Sequence, residues 1–380
     1  RLGPDWLEAP KVSQMPRRTR AYTCVLAACL GLFAGLTQDG CARGFASVHR
    51  GRKQPHPANV AGDVYVDFTC IDCDTCRWMA PKTFGRVTDH SGGQSYVFQQ
   101  PTDKQDLDSA LQAMISCPTG SIRTRQPQAR TKDVLQSFPL AIDQRIPRVF
   151  HLGFHSAKSF GAASYFMTSV GEDGSPFNVM FDSPRYSAKL AGRLALAGGV
   201  QLMVLSHKDD VADHIRWKER FPEMTRVMHK QDVRDQDSWP YIDMTGIEMQ
   251  LDGEGPWWPT QGLKVIHTPG HSAGSITLIA DESFTGGDGV AFTGDHLALS
   301  GRLGRLDGFA RYSSDPMLQA ESMNAVAAED VLWILPGHGR RIRFEDAAGR
   351  MKQLHGAVQE YRSDPYGHNA PGPLFKVLAL

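Results

Sequence analysis

The feature that most constrains the fold of this chain is a stretch rich in histidine and aspartate that follows an apolar run. Residues 200–205 are mostly apolar, and the next nine residues read Ser-His-Lys-Asp-Asp-Val-Ala-Asp-His. The run predicts a buried strand, and open α/β sheets form their sites at such strand ends. The stretch between His207 and His214 therefore predicts either a divalent metal site or a solvated acidic turn that caps the next helix.

Three later segments repeat the same arrangement of an apolar run, a glycine-containing turn and a histidine or aspartate. His271 lies in a Thr-Pro-Gly-His turn, Asp295 in Thr-Gly-Asp-His, and His338 in Pro-Gly-His. Glycine lets the backbone turn sharply, so that side chains from separate turns can approach a common centre. The repetition favours the metal interpretation over the capped helix.

Taken in order, these four segments resemble the metallo-β-lactamase superfamily, whose pattern is H-x-H-x-D-H, a lone His, an Asp and a final His. The resemblance covers roughly residues 145–360. It implies an α+β fold in which two mixed sheets pack face to face with helices outside, an αββα sandwich. We therefore expect a metallo-β-lactamase-like domain at residues 145–362 and a loosely held tail at residues 363–380.

The resemblance also implies the metal ligands. His207 matches the first His of the pattern, and Asp213 with His214 matches its D-H pair, although the spacing is two residues longer. The second His has no counterpart, and Asp209 stands in its place. Oxygen ligands leave zinc, iron or manganese, and one or two ions, as alternatives. The expected ligands are His207, Asp209, Asp213, His214, His271, Asp295 and His338, with Asp213 and Asp295 as catalytic residues.

The cysteines form a second pattern. Seven are present, and the last four read Cys70-x-x-Cys73-x-x-Cys76 and then Cys117-Pro118, with no cysteine beyond Cys117. Three thiolates on one loop with a distant fourth suit a [4Fe-4S] cluster, although four thiolates also suit zinc. The order resembles a single-cluster bacterial-type ferredoxin, which implies a small α+β domain at residues 60–128 that transfers electrons and has a redox partner protein.

The first 58 residues are expected to be a leader. A basic segment precedes an apolar run at residues 21–36, and an arginine-rich segment with few acids follows. A basic start and an apolar core are typical of a signal peptide. The whole segment resembles the bipartite leader of algae with complex plastids, so we expect a chloroplast location. The alternatives to a chloroplast location are secretion, a membrane anchor or another organelle.

The overall charge of the chain indicates which classes of binding partner to expect. The 41 Lys and Arg residues balance 41 Asp and Glu residues, which predicts neither nucleic acid nor an acidic membrane as partner. No apolar run of membrane-spanning length follows the first fifty residues. We therefore expect a small-molecule substrate and no membrane association of the mature protein.

Three functions fit these patterns. The first is a metal-dependent hydrolase of the ester, thioester, lactone or phosphodiester class that carries an electron-transfer domain. The second is a ferredoxin-coupled oxidoreductase with non-haem iron, because Asp209 resembles the carboxylate of the flavodiiron branch. The third is a non-catalytic iron–sulfur sensor or binding protein.

Overall fold

The computed structural model describes residues 53–87, 93–234 and 242–364. Nearly all of the expected leader (1–58) and of the expected tail (363–380) lies outside these residues. Within the described ranges, no helix is both long enough and apolar enough to cross a lipid bilayer.

The four cysteines lie in a small N-terminal α+β region. Two antiparallel pairs of short strands enclose an apolar core with a long helix, and Asp103 caps that helix by accepting a hydrogen bond from the Asp106 amide. The long helix ends at Ser116 and leads directly into Cys117. The elements are β1 (Val64–Val66), α1 (Thr75–Met79), β2 (Phe84–Arg86), β3 (Ser95–Val97), α2 (Lys104–Ser116), β4 (Ile122–Thr124) and α3 (Thr131–Gln136).

Two sheets follow. The strands of the seven-stranded sheet lie in the order β11-β10-β9-β8-β7-β6-β5. They are β5 (Leu140–Ala141), β6 (Val149–His151), β7 (Tyr165–Met167), β8 (Val179–Phe181), β9 (Leu202–Val204), β10 (Thr225–His229) and β11 (Met249–Leu251).

The strands of the six-stranded sheet lie in the order β12-β13-β14-β15-β18-β19, and β16 pairs with β17 in a separate hairpin. They are β12 (Trp257–Thr260), β13 (Leu263–His267), β14 (Ile276–Ala280), β15 (Val290–Gly294), β16 (Ala298–Leu299), β17 (Leu306–Asp307), β18 (Trp333–Pro336) and β19 (Ile342–Arg343).

The inner faces of the two sheets share one core. Successive side chains of a strand point to opposite faces, so Leu202 and Val204 enter this core while Met203 packs on the outside. Val290 and Phe292 meet them from the second sheet. A strand that is apolar on both faces must be covered on both, which explains the helices outside.

Helices cover both outer faces, as the αββα expectation requires. On the first sheet, Leu190, Leu194 and Trp217 pack into the outer core; on the second, Met323 and Leu354 do so. The helices are α4 (Ala188–Leu196), α5 (His214–Arg220), α6 (Lys230–Arg234), α7 (Glu282–Thr285), α8 (Pro316–Ala327) and α9 (Ala347–Ser363), with 3₁₀ turns at Ala157–Ser159 and Ala310–Tyr312.

Candidate metal centre and iron–sulfur site

The four cysteines line one buried cavity together with Thr75, Ser95 and Thr119. None of the four forms a disulfide. Burial raises the pKa of Cys70 and Cys76, and raises that of Cys73 to about 12. Burial therefore keeps Cys70, Cys73 and Cys76 protonated, and positive charge from bound iron or another metal is needed to hold them as thiolates.

Ion pairs hold the loop that carries Cys70, Cys73 and Cys76. Asp72 and Asp74 adopt left-handed backbone conformations, with φ of 60° and 64°. The buried Arg77 donates to both carboxylates, and its Nη1 also lies 2.6 Å from Ser95 Oγ. Arg77, together with Arg86, which also pairs with Asp72, therefore restrains the loop.

Five of the seven predicted metal ligands come together at the edge of the sandwich. His207 Nε2 lies 3.9 Å from Asp209 Oδ2 and 3.9 Å from Asp295 Oδ2. His271 Nε2 lies 3.9 Å and 3.8 Å from the same two oxygens. His338 Nδ1 lies 2.8 Å from both Asp295 carboxylate oxygens.

Asp210 joins this group although it was not among the expected ligands. One ligand atom each from Asp210, Asp295 and His338 lie within 4.8 Å of one another, as do atoms of His207, His271 and Asp295. Two adjacent groups of ligands thus share Asp295. The signal in the sequence was the Asp209-Asp210 pair itself, which follows strand β9 more closely than the D-H pair does.

Asp213 and His214 lie elsewhere, which corrects the ligand set and the catalytic role expected for Asp213. Asp213 accepts hydrogen bonds from Lys158 Nζ at 2.8 Å and from the Tyr186 amide at 2.9 Å. His214 is bonded through Nε2 to the Asp243 carbonyl and through Nδ1 to Arg226. Helix α5 begins at His214, so the two-residue-longer loop turns this pair into a helix start.

Comparison with known families assigns both regions. Residues 66–124 match the family model described as the 4Fe-4S single cluster domain of Ferredoxin I, and residues 203–338 match that of the metallo-beta-lactamase superfamily. The chain joins these two domains. No curated protein sequence gives a significant match.

Solved structures resemble the metallo-β-lactamase domain at low identity. A metallo-beta-lactamase of Cronobacter sakazakii is 13% identical, with a TM-score of 0.42 over 61% of this chain and 96% of that chain. The metallo-beta-lactamase FIM-1 of Pseudomonas aeruginosa in its mono-zinc form is 17% identical, with a TM-score of 0.38 over 52% of this chain and 93% of that chain. ETHE1 of Myxococcus xanthus is 16% identical, with a TM-score of 0.40 over 59% of this chain and 92% of that chain. Because these TM-scores are low, the domain assignment rests on the two family models.

The electrostatics of the metallo-β-lactamase cleft fit a bound cation. Burial, together with the charges of Asp295, Asp182 and Asp209, raises the pKa of Asp210 well above its usual value. Burial alone would raise the pKa of Asp295 as well, but the neighbouring imidazoles hold it well below its usual range. Among the described residues, neither oxygen of Asp210 has a hydrogen-bond partner, nor does Nε2 of His207. Buried polar atoms without partners are costly, and a divalent ion would satisfy them.

Two further carboxylates fix the ligand loops, and sequence patterns did not single them out. Asp182 accepts hydrogen bonds from the Ser206 amide and hydroxyl, and Ser206 Oγ lies 2.9 Å from His207 Nδ1. This contact leaves His207 Nε2 to face the cleft. Asp232 accepts hydrogen bonds from the Lys208 amide, the Ser272 hydroxyl and the Gly274 amide. The loops of His207 and His271 are therefore joined by one side chain.

A glycine allows the last ligand loop to approach. A Cβ atom on Gly337 would lie 2.7 Å from Asp210 Oδ2 and 2.9 Å from Asp295 Oδ1. Real Cβ atoms do not come this close, so only glycine lets the backbone before His338 pack on both carboxylates. The amide of His338 donates to Asp295 Oδ1 at 3.0 Å, which completes the turn.

Proposed function

We propose that this protein is a metal-dependent hydrolase whose active site is the cleft of the metallo-β-lactamase domain. The observation that carries the proposal is the convergence of three imidazoles and three carboxylates at one end of the two sheets. Several of their nitrogen and oxygen atoms are buried without a hydrogen-bond partner among the described residues. The six residues are His207, Asp209, Asp210, His271, Asp295 and His338.

A zinc or iron ion, when bound, supplies a water of lowered pKa and an electrophile for a carbonyl or phosphoryl oxygen. His207, His271 and Asp295 would hold one ion, and Asp210, Asp295 and His338 would hold a second. Burial raises the pKa of Asp209, which favours a carboxylate that can take up a proton. Its Oδ2 atom faces His207 and His271, so we assign Asp209 a proton-accepting role, in place of Asp213, which was expected to be catalytic.

The substrate class is an ester, thioester, lactone or phosphodiester. The test uses full-length protein prepared without oxygen, with its cluster intact, reconstituted with zinc or iron and assayed against all four classes. We expect hydrolysis of one class to disappear in His271→Ala and to persist in Asp213→Asn, whose side chain lies outside the cleft group. Hydrolysis that survives His271→Ala and Asp210→Asn would contradict the proposal.

A second candidate, a ferredoxin-coupled oxidoreductase, is supported by the ligand chemistry. Asp209, Asp210 and Asp295 bring as many carboxylates to the cleft as there are imidazoles, and oxygen ligands suit iron or manganese better than a thiolate or all-imidazole set does. Metal analysis of protein purified from iron-rich and zinc-rich cultures separates the candidates. Zinc in the cleft with full hydrolysis excludes the redox function, whereas iron with oxygen uptake by the reduced protein supports it.

A further inference from the structure

The loop that carries His338 is joined to the cluster loop by an ion pair. Arg340 Nε lies 2.8 Å from Asp74 Oδ2, and Arg340 Nη2 lies 3.3 Å from Asp74 Oδ1. Asp74 lies between Cys73 and Cys76, and Arg340 lies two residues after His338. A two-point contact of this kind fixes orientation as well as distance. It connects a cluster loop to a metal-ligand loop within one chain.

A second connection is a backbone contact on Cys73. Gly161 has φ of +95°, and a Cβ atom there would lie 2.8 Å from Cys73 Cβ and 3.2 Å from Cys73 Sγ. The Ala163 amide donates to the Gly337 carbonyl at 2.8 Å. One segment therefore touches a cluster cysteine on one side and the His338 loop on the other.

Buried polar contacts reinforce this segment. Thr75 Oγ1 lies 3.4 Å from Cys73 Sγ and 3.0 Å from His155 Nδ1, and the same His155 atom lies 2.8 Å from the Gly161 carbonyl oxygen. The guanidinium of Arg341 stacks 4.4 Å above the Trp78 ring. Thr75 and His155 are buried, so little water screens charge along this part of the connection between the two loops.

We propose that the oxidation state of the [4Fe-4S] cluster sets the affinity of the cleft for its metal ion, through the contacts of Arg340 and Gly161. The inference rests on the proposed metal-dependent function and names its regulation. One electron from an external one-electron donor adds one negative charge at the cysteine loop. That charge stabilises a cation held by His338 and Asp295, so the reduced protein binds metal more tightly. No electron passes to the metal ion, and no bond forms or breaks.

Linkage makes the effect reciprocal, because the metal must favour cluster reduction by the same factor by which reduction favours metal binding. A coupling on the order of tenfold is typical of linked sites. For a one-electron couple, a tenfold factor equals a shift of about 59 mV in midpoint potential. Arg340 and Gly161 act as positioning residues, because they touch the two loops rather than the reacting atoms.

The test uses the full chain with its cluster intact and zinc as a redox-silent probe. Dithionite titrations followed by electron paramagnetic resonance give the cluster midpoint potential with and without zinc, and calorimetry measures zinc binding in parallel. We expect zinc to raise the potential by about 59 mV for tenfold coupling. An unchanged potential in protein that binds zinc overturns the inference while the proposed function stands. Failure to bind zinc or iron overturns the proposed function instead, and this inference with it.

Matched variants test the route. Arg340→Lys keeps the charge and loses the two-point contact, so we expect it to reduce the zinc-induced shift at least twofold. Arg343→Lys is the control. Arg343 lies on strand β19, and its Nε atom donates to Asp288 Oδ2 at 2.9 Å rather than to the cluster loop. The zinc-induced shift in Gly161→Ala is compared with the shift in Gly174→Ala, because a Cβ atom at Gly174 would meet no atom within 4 Å. An equal loss of the shift in Arg340→Lys and Arg343→Lys would overturn the assigned route.

Discussion

The two candidate inorganic sites of this chain are built in opposite ways. The candidate cluster site takes three ligands from one loop in which Asp72 and Asp74 pair with the nearby Arg77. The candidate metal cleft takes its ligands from four turns at the ends of two packed sheets. The positions of these turns depend on distant side chains such as Asp232. A site of the first kind should fail as a unit when one ligand is lost. A site of the second kind should respond in proportion to each contact.

The largest expected effect breaks the cluster site. In Cys73→Ala, we expect iron at the cysteine loop to fall to near zero, because one of the four thiolates that hold a [4Fe-4S] cluster is lost. Iron analysis and visible absorption of anaerobic protein measure this loss. Cys41→Ser is the control, since Cys41 belongs to the expected leader and not to the cysteine loop. Retention of most of the cluster in Cys73→Ala would show that the ligands do not act as a unit.

The next prediction separates the cleft ligands from the residues that only the family pattern had suggested. Asp210→Ala should weaken zinc binding on the order of 100-fold or more, since loss of an outer contact alone costs 10–100-fold. Asp213→Ala should leave zinc affinity within about threefold and lower the free energy of unfolding by about 1–3 kcal/mol, because the Lys158 and Tyr186 contacts are lost. Competition with a chelating dye and chemical denaturation measure the two quantities. The reverse ranking would restore Asp213 as a ligand.

The difference between the sites also explains what the sequence could reveal. Three cysteines of the candidate cluster site were recognised from their spacing, because the ligands of one loop are close in the chain, and the fourth, Cys117, from the Cys-Pro pair that follows them. The strands and the αββα arrangement followed from apolar runs and the family resemblance. Asp213 and His214 were misplaced because a two-residue insertion shifts which residues face the cleft, and pattern alone does not show where a helix begins. Asp232 went unnoticed since its contacts lie 24 to 42 residues away in sequence.

An intermediate effect is expected where one carboxylate joins two ligand loops. Asp232→Asn removes the charge that accepts hydrogen bonds from Lys208, Ser272 and Gly274. We expect zinc affinity to fall about 10–100-fold, the range typical of contacts that orient ligands. Ser272→Ala removes a single one of these hydrogen bonds and should cost less. If Asp232→Asn leaves affinity unchanged while Ser272→Ala lowers it, the joining role belongs to the serine.

The smallest expected effect concerns the hydrogen-bond network around His214. Arg226 donates to His214 and to Glu248, and Lys218 also pairs with Glu248. Burial would raise the pKa of Glu248, but these hydrogen bonds lower it from 4.5 to about 2. Since the folded-state value is the lower one, the pairing stabilises the protein above pH 4.5 and its contribution is lost as the pH falls towards 2.

Glu248→Gln should therefore lower the free energy of unfolding by less than about 1 kcal/mol at neutral pH, because the carboxylate is partly exposed and surface pairs contribute little. It should also flatten the decline of stability between pH 4.5 and 2. Denaturant titrations at a series of pH values measure both. Zinc affinity should stay unchanged, because Arg226 retains its contact with His214. A variant that gains zinc affinity would mean that the freed His214 reaches the cleft, in which case the network, and not the loop length, excludes it.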